Sequence, residues 1–220
     1  MTPPAAASSF KITVLLSGSG TTMVNLQQHI AKGLVPAQIV QVVSSRRDVA
    51  GVIRAQELGL PVHILGRKKF TQNKIFDARA YAAALVETVA PYQPDLVVMA
   101  GFMTQLAEPF LSRFQTINVH PALLPSFGGK GYYGHHVHEA VLAAGVKISG
   151  ATVHFANSQY DRGPIICQEA VPVEEDDTPD TLAQRIQAAE RRIYPKAVAM
   201  IAKGLVTVDG NRTVIREERC

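Results

Sequence analysis

The chain is poor in several things, and each shortage narrows what it is. Two cysteines, Cys167 and the terminal Cys220, are too few for a disulfide framework and lack the paired spacing of a zinc site. A reducing, cytoplasmic setting is the expectation. No apolar run approaches the ~18 residues of a membrane span. The opening MTPPAAASSF has neither a basic start nor an apolar stretch. It reads as a disordered tail over residues 1–10 and not as a secretory signal. Charged residues make up 18% of the chain, below the ~25% of an average domain, so much of the sequence can enter a core. The 22 lysines and arginines are scattered, and the net charge of +4 reads as a solvated basic surface. Neither nucleic acid nor membrane is expected as a partner. No internal repeat and no linker is visible, and 220 residues suit one domain.

What is present is an alternation of short β-branched runs with longer helical stretches, the mark of an α/β sheet. Strands are expected over residues 11–18, 37–45, 61–65, 95–101 and 116–120. Helices are expected through GTTMVNLQQHIAKG, DVAGVIRAQELG and FDARAYAAALVETVA, with a short one at AEPFLSRF. A further helix through HEAVLAAG leads to strands 148–156 and 165–173. Those two alternate more strictly, as an antiparallel extension of a parallel sheet would. The last helix has Thr178 as N-cap, Pro179 at its first position and an apolar stripe at Leu182, Ile186, Ala189 and Ile193. The expected fold is a doubly wound, mostly parallel, Rossmann-like sheet with an antiparallel C-terminal extension.

Two stretches carry chemistry. SGSGTT, Ser17 to Thr22, lies where a strand hands over to a helix, and backbone N–H groups there face an anion readily. Three readings stay open: a plain tight turn, a monophosphate pocket lined by Gly20, Thr21 and Thr22, or a dinucleotide loop. The last would use Ser44, Ser45, Arg46 and Arg47 to grasp a 2′-phosphate, but Met23 stands at the third glycine position. The second stretch is INVHP, where Asn118 and His120 fall two apart on one side of a strand end. A carboxamide can donate to an oxyanion while an imidazole moves a proton, although the same spacing also serves a capped strand end. Asp161, in YDRGPI, is either a turn residue or the carboxylate that raises the imidazole pKa and orients it.

SGSGTT, AGFM after the fourth strand, INVHPALLPSF, GATVHF, YDRGPII and AERRIYP follow in order over residues 11–208. Together they closely resemble the phosphoribosylglycinamide formyltransferases, the folate-dependent enzymes of purine synthesis. The N-x-H-P-A-L-L-P run is shared by the wider group of 10-formyltetrahydrofolate transferases and hydrolases, and the phosphate loop narrows the choice. The methionyl-tRNA formyltransferases would lack that loop and add a C-terminal domain, and the deformylases would add an N-terminal one.

The resemblance implies transfer of the formyl group of 10-formyltetrahydrofolate to the amine of phosphoribosylglycinamide, without a metal. A hydrolase releasing formate and an NADP-binding reductase are the alternatives. By the same resemblance Asn118, His120 and Asp161 are catalytic, and Gly20, Thr21 and Thr22 hold the substrate phosphate. Glu190 holds the ribose hydroxyls. Arg79 and the backbone of Met103, Thr104, Gln105 and Leu106, with Asn118, contact the folate. His154 is a partner behind Asp161 or a satisfied core histidine. Thr22 stands where many relatives carry Asn, and Thr104 where Arg is frequent. His135, His136 and His138 follow a glycine-rich loop and are expected on the surface at a helix start, or as a lid. The domain is expected over 11–208, with a C-terminal tail at 209–220 and a monomer or homodimer as the working form.

Overall fold

A computed structural model describes residues 10–216; the remaining tail expectations, at 1–9 and 217–220, lie outside the described residues. The elements in chain order are β1 (Phe10–Leu16), α1 (Thr21–Ala31), β2 (Ala37–Ser44), α2 (Ala50–Glu57), β3 (Val62–Ile64), β4 (Thr71–Gln72), β5 (Ile75–Phe76), α3 (Ala78–Val89) and β6 (Leu96–Ala100). Then follow α4 (Phe110–Arg113), β7 (Thr116–His120), α5 (His135–Ala143), β8 (Ile148–Phe155), β9 (Ile165–Pro172), α6 (Pro179–Ala202), β10 (Val206–Asp209) and β11 (Arg212–Ile215).

Seven strands form one sheet in the order β3-β2-β1-β6-β7-β8-β9. The first five are parallel, and β8 and β9 add antiparallel, as the stricter alternation of their sequences predicts. The chain leaves β1 toward β2 and β3, then returns to the other side of β1 with β6. That reversal opens a crevice at the carboxyl ends of β1 and β6, where ligands of open α/β sheets bind.

Successive residues of β1 serve opposite faces. Ile12, Val14 and Leu16 join a core with residues of α1, α2, α5 and α6, while Leu15 joins a smaller one with α3 and Phe110 of α4. On the second face Thr13 donates to Gln41 (3.2 Å), whose amide donates to the Thr88 carbonyl (2.9 Å), so these buried polar groups are paired.

Helix α6 organises one side of the crevice. Thr178 caps it and Thr181 returns the bond, a reciprocal capping box. Its buried face includes Leu182, Ile186, Ala189 and Ile193, the stripe expected from sequence. Pro195 lies inside the helix and has no N–H to give to the carbonyl one turn earlier, that of Arg191. The side-chain amide of Asn25 on α1 donates to that carbonyl instead (2.9 Å). The proline thus creates the acceptor by which α1 holds α6.

Two features differ from expectation. The segment read as a tail from residue 209 contains β11, paired with β10. Thr213 of β11 donates to the Ile165 carbonyl (2.7 Å) and ties the hairpin to the start of β9. The small β4–β5 hairpin was not foreseen, since two pairs of residues carry no periodicity to read. No helix among the described residues is long and apolar enough to cross a membrane.

Candidate active site

The loop between β1 and α1 is shaped by close packing. Gly20 has φ +74° and caps α1, and a Cβ on it would stand 2.6 Å from the Gly51 Cα of α2. Its glycine is required by this backbone approach, whereas a Cβ on Gly18 would meet nothing within 4 Å. The Gly51 N–H donates to the Gly18 carbonyl (3.0 Å) and Arg54 donates to that of Ser19 (2.6 Å). A rigid loop thereby presents the first N–H groups of an 11-residue helix.

Those groups open on a cavity of about 350 Å³ lined by residues 18–22 and 25 of this segment, by Ala100 at the end of β6 with Gly101 and Met103 after it, and by Gln187, Glu190 and Arg191 of α6. Gly20, Thr21, Thr22 and Glu190, far apart in sequence, are brought together here. Burial pushes the Glu190 carboxyl up to about 7, against the lowering effect of Arg191. Asn25, Gln187 and Arg191 were missed from sequence; Pro195, one turn past Arg191, was the available signal.

Ser17 joins this loop to the next. Its hydroxyl lies 2.6 Å from that of Ser45 and accepts from the Met103 N–H (2.9 Å). Ser44 bonds within its own turn, to both the carbonyl and the N–H of Arg46. The hydroxyls that a 2′-phosphate site would need are thus engaged internally. In the loop after β6, Phe102, Thr104 and Leu106 turn inward, while Met103 and Gln105 are exposed. The Thr104 hydroxyl is buried without a hydrogen-bond partner, while the Tyr81 hydroxyl donates to the Leu65 carbonyl (3.0 Å) and burial pushes its pKa up to about 12. A residue here buried against α3 explains why a threonine suits the position where an arginine was expected. Arg79 stands exposed in the first turn of α3.

One strand over, β7 ends in the second cluster. Asn118 is half-buried and pairs in register with His154 of β8, while His120 pairs with Thr152. The Thr152 hydroxyl donates to the Ala122 carbonyl (2.7 Å) and accepts from the Leu124 N–H (3.0 Å), fixing the chain as it leaves His120. Asp161 has φ +54°, a left-handed conformation that aspartate tolerates. Its carboxylate sits between two imidazoles, with Oδ2 3.5 Å from His120 Nδ1 and Oδ1 3.6 Å from His154 Nε2. The Gly129 N–H donates to Oδ2 (2.9 Å). That approach needs glycine at 128, where a Cβ would meet Leu124 Cδ2 at 2.4 Å and Asp161 Cβ at 3.2 Å.

The protons of this cluster follow from its acceptors. His120 Nε2 is 2.7 Å from the Phe127 carbonyl and His154 Nδ1 is 2.8 Å from that of Phe155. A carbonyl only accepts, so both of these nitrogens carry hydrogen. In the neutral rings the nitrogens facing Asp161 are therefore bare. Burial lowers the His120 pKa more than Asp161 raises it, with the Phe127 carbonyl also raising and His154 lowering. Asp161 acts on His120 in the raising direction expected from the sequence, but only 4% of the residue is exposed and desolvation outweighs it. For Asp161 itself burial raises the pKa, but His154, His120 and the Gly129 N–H together bring it below the ordinary value.

The remaining histidines divide. His135 Nε2 lies 2.7 Å from Asp180 Oδ1, linking α5 to α6, and exposed His136 faces Glu139 at 3.1 Å. His138, expected on the surface, is buried with Val137 and Val141 on the inward face of α5. Among the described residues no group of three or more His, Cys, Asp or Glu is placed to hold a metal ion.

A family model described as formyl transferase matches residues 10–198. The phosphoribosylglycinamide formyltransferase of Mycobacterium tuberculosis is 41% identical, with 94% of this chain and 91% of that protein aligned. The trifunctional purine biosynthetic protein adenosine-3 of Bos taurus is 37% identical over 91% of this chain, which spans 19% of that longer protein's length. Among solved structures, glycinamide ribonucleotide transformylase 1 from Symbiobacterium toebii superposes with a TM-score of 0.86 at 37% identity, covering 94% of each chain. The chain belongs to the formyl transferase family, and within it stands with the phosphoribosylglycinamide formyltransferases.

Proposed function

We propose that the protein transfers the formyl group of 10-formyltetrahydrofolate to the amine of 5′-phosphoribosylglycinamide, a step of purine synthesis. The observation that carries this reading is the adjacency of two sites on neighbouring strand ends. One is a cavity with the N-terminus of α1 and Glu190 on its walls. The other is the Asn118, His120 and Asp161 cluster at the end of β7. A phosphate suits the N–H groups of Gly20, Thr21 and Thr22, and the Thr hydroxyls add donors where a longer amide is absent. The Glu190 carboxylate suits the ribose diol. The folate would lie against the backbone of 103–106, with Arg79 at the outer end.

In the reaction the substrate amine attacks the formyl carbon, a C–N bond forms, and the carbonyl oxygen becomes an oxyanion. The Asn118 amide donates to that oxygen. As the bond from carbon to N10 of the folate breaks, the proton leaving the attacking amine must reach N10. A neutral His120 can accept it only at the bare Nδ1, the nitrogen that faces Asp161, and the carboxylate stabilises the imidazolium so formed. Donation from Nε2 to the substrate requires that group to exchange its Phe127 carbonyl partner.

The test is to supply 10-formyltetrahydrofolate with and without phosphoribosylglycinamide and to measure both formyl-glycinamide ribonucleotide and formate. Product should form only with the amine present. Formate released at the same rate in its absence would replace this reading with a hydrolase.

A further inference from the structure

Helix α6 carries three arginines, and two of them are tied to acids. Arg185 pairs with Asp177 (2.7 Å) and Arg192 with Glu169. Arg191 makes no ion pair among the described residues and stands exposed on the wall of the cavity at the start of α1. Of the residues that line this cavity Arg191 is the one cation, and its neighbour Glu190 is the one acid. The two do not pair with each other. Arg191 acts on the Glu190 carboxyl as a charge at a distance, lowering a pKa that burial raises.

The backbone sets the place of this free guanidinium. The Asn25 amide of α1 donates to the Arg191 carbonyl (2.9 Å), the acceptor that Pro195 leaves open, and so holds this turn of α6 against α1. Asn25 lies one turn along α1 from Thr21, about 6 Å, a span within the length of an arginine side chain. Gln187, Glu190 and Arg191 follow at i, i+3 and i+4, so they share one face of α6 and one wall of the cavity. Charge then decides what that wall must supply. A phosphate monoester brings about −1.5 to −2 at neutral pH. The N-terminus of a helix offers about +0.5. The α1 end and its neutral threonine hydroxyls therefore leave most of the phosphate charge unanswered, in a cavity whose other ionisable wall is an acid.

We propose that Arg191 pairs with the phosphate of the substrate and sets the preference for the phosphorylated over the unphosphorylated glycinamide riboside. The proposal rests on the substrate reading above and adds to it a residue for which that reading has no role. A guanidinium presents a planar fork of N–H donors that matches two phosphate oxygens at once. It comes from the wall opposite the α1 N–H groups, so the phosphate is held from two sides. With its acid neighbour left for the ribose, one turn of α6 then reads both ends of the sugar phosphate.

Calorimetric Kd values for phosphoribosylglycinamide and for its dephosphorylated riboside, in the native protein and in two variants, test it. Both compounds carry the ribose diol and the amine, so effects on Glu190 or on the fold cancel in the ratio of the two Kd values. Arg191→Gln keeps most of the side-chain stem and loses the charge. It should cut the preference for the phosphorylated compound roughly ten- to thirty-fold, with the whole change in that ligand. Arg191→Lys returns the charge without the fork and should recover part of the preference. A preference that survives Arg191→Gln, or an equal loss for both compounds, would overturn the assignment. If the native protein binds neither compound, the substrate reading on which it stands falls instead.

Discussion

At the scale of single residues the cluster at the end of β7 makes three predictions. Asn118→Ala removes the proposed oxyanion donor, and turnover should fall roughly 10²–10³-fold with little change in Tm. Unchanged turnover would remove Asn118 from the mechanism. The His120 pKa is lowered by burial, so the acid limb of the pH–rate profile should lie below the ordinary histidine value of 6.5. Asp161→Asn deletes the raising influence, so that limb should move to still lower pH while turnover drops by about 10²–10⁴. A limb that stays in place would show that His120 is not the group titrating. Glu190 works in the opposite sense. Its folded pKa of about 7 exceeds the reference 4.5, so the folded chain binds more protons in between and stability falls as pH rises through that window. Glu190→Gln should flatten Tm against pH between about 4.5 and 7, and a persisting slope would assign it to another group.

At the scale of elements, α6 joins the core to the cavity. Its Thr178 cap is remote from the chemistry, so Thr178→Ala should cost about 1 kcal/mol in urea unfolding and leave turnover near normal. The Asn25–Pro195 pairing is more specific. Asn25→Ala orphans the Arg191 carbonyl, an expected loss of about 1 kcal/mol. Pro195→Ala restores an N–H for the same carbonyl. In that background Asn25→Ala should cost measurably less, as a double-mutant cycle would read. Equal costs in both backgrounds would mean that the amide holds α6 by some other contact.

At the scale of the whole molecule, a ligand of the folded state stabilises all of it. Phosphoribosylglycinamide at 100 times its Kd should add about 2.7 kcal/mol, or roughly 5–10 °C in Tm for a chain of this length. Inorganic phosphate at equal concentration should shift Tm far less, because on the proposed reading it would engage only the α1 end of the cavity and leave Glu190 unfilled. Matching shifts would mean that the ribose side of the cavity contributes nothing.

The local pattern of the sequence determined the order of the seven strands of the main sheet and of the helices between them, the switch from parallel to antiparallel strands, the Thr178 cap and the two stretches SGSGTT and INVHP. Each is encoded within a few neighbouring residues, by periodicity, turn chemistry or spacing. Only the tertiary structure decided which face of α5 buries His138, why Gly20 has no side chain and which group completes the helix that Pro195 interrupts. It also decided the sign of the His120 shift. These depend on what distant segments bring to bear: Gly51 against the loop between β1 and α1, Asn25 against α6, and the covering of β7 that makes desolvation outweigh the nearby carboxylate. Burial is a property of the assembled layers, and a linear spacing of residues does not carry it.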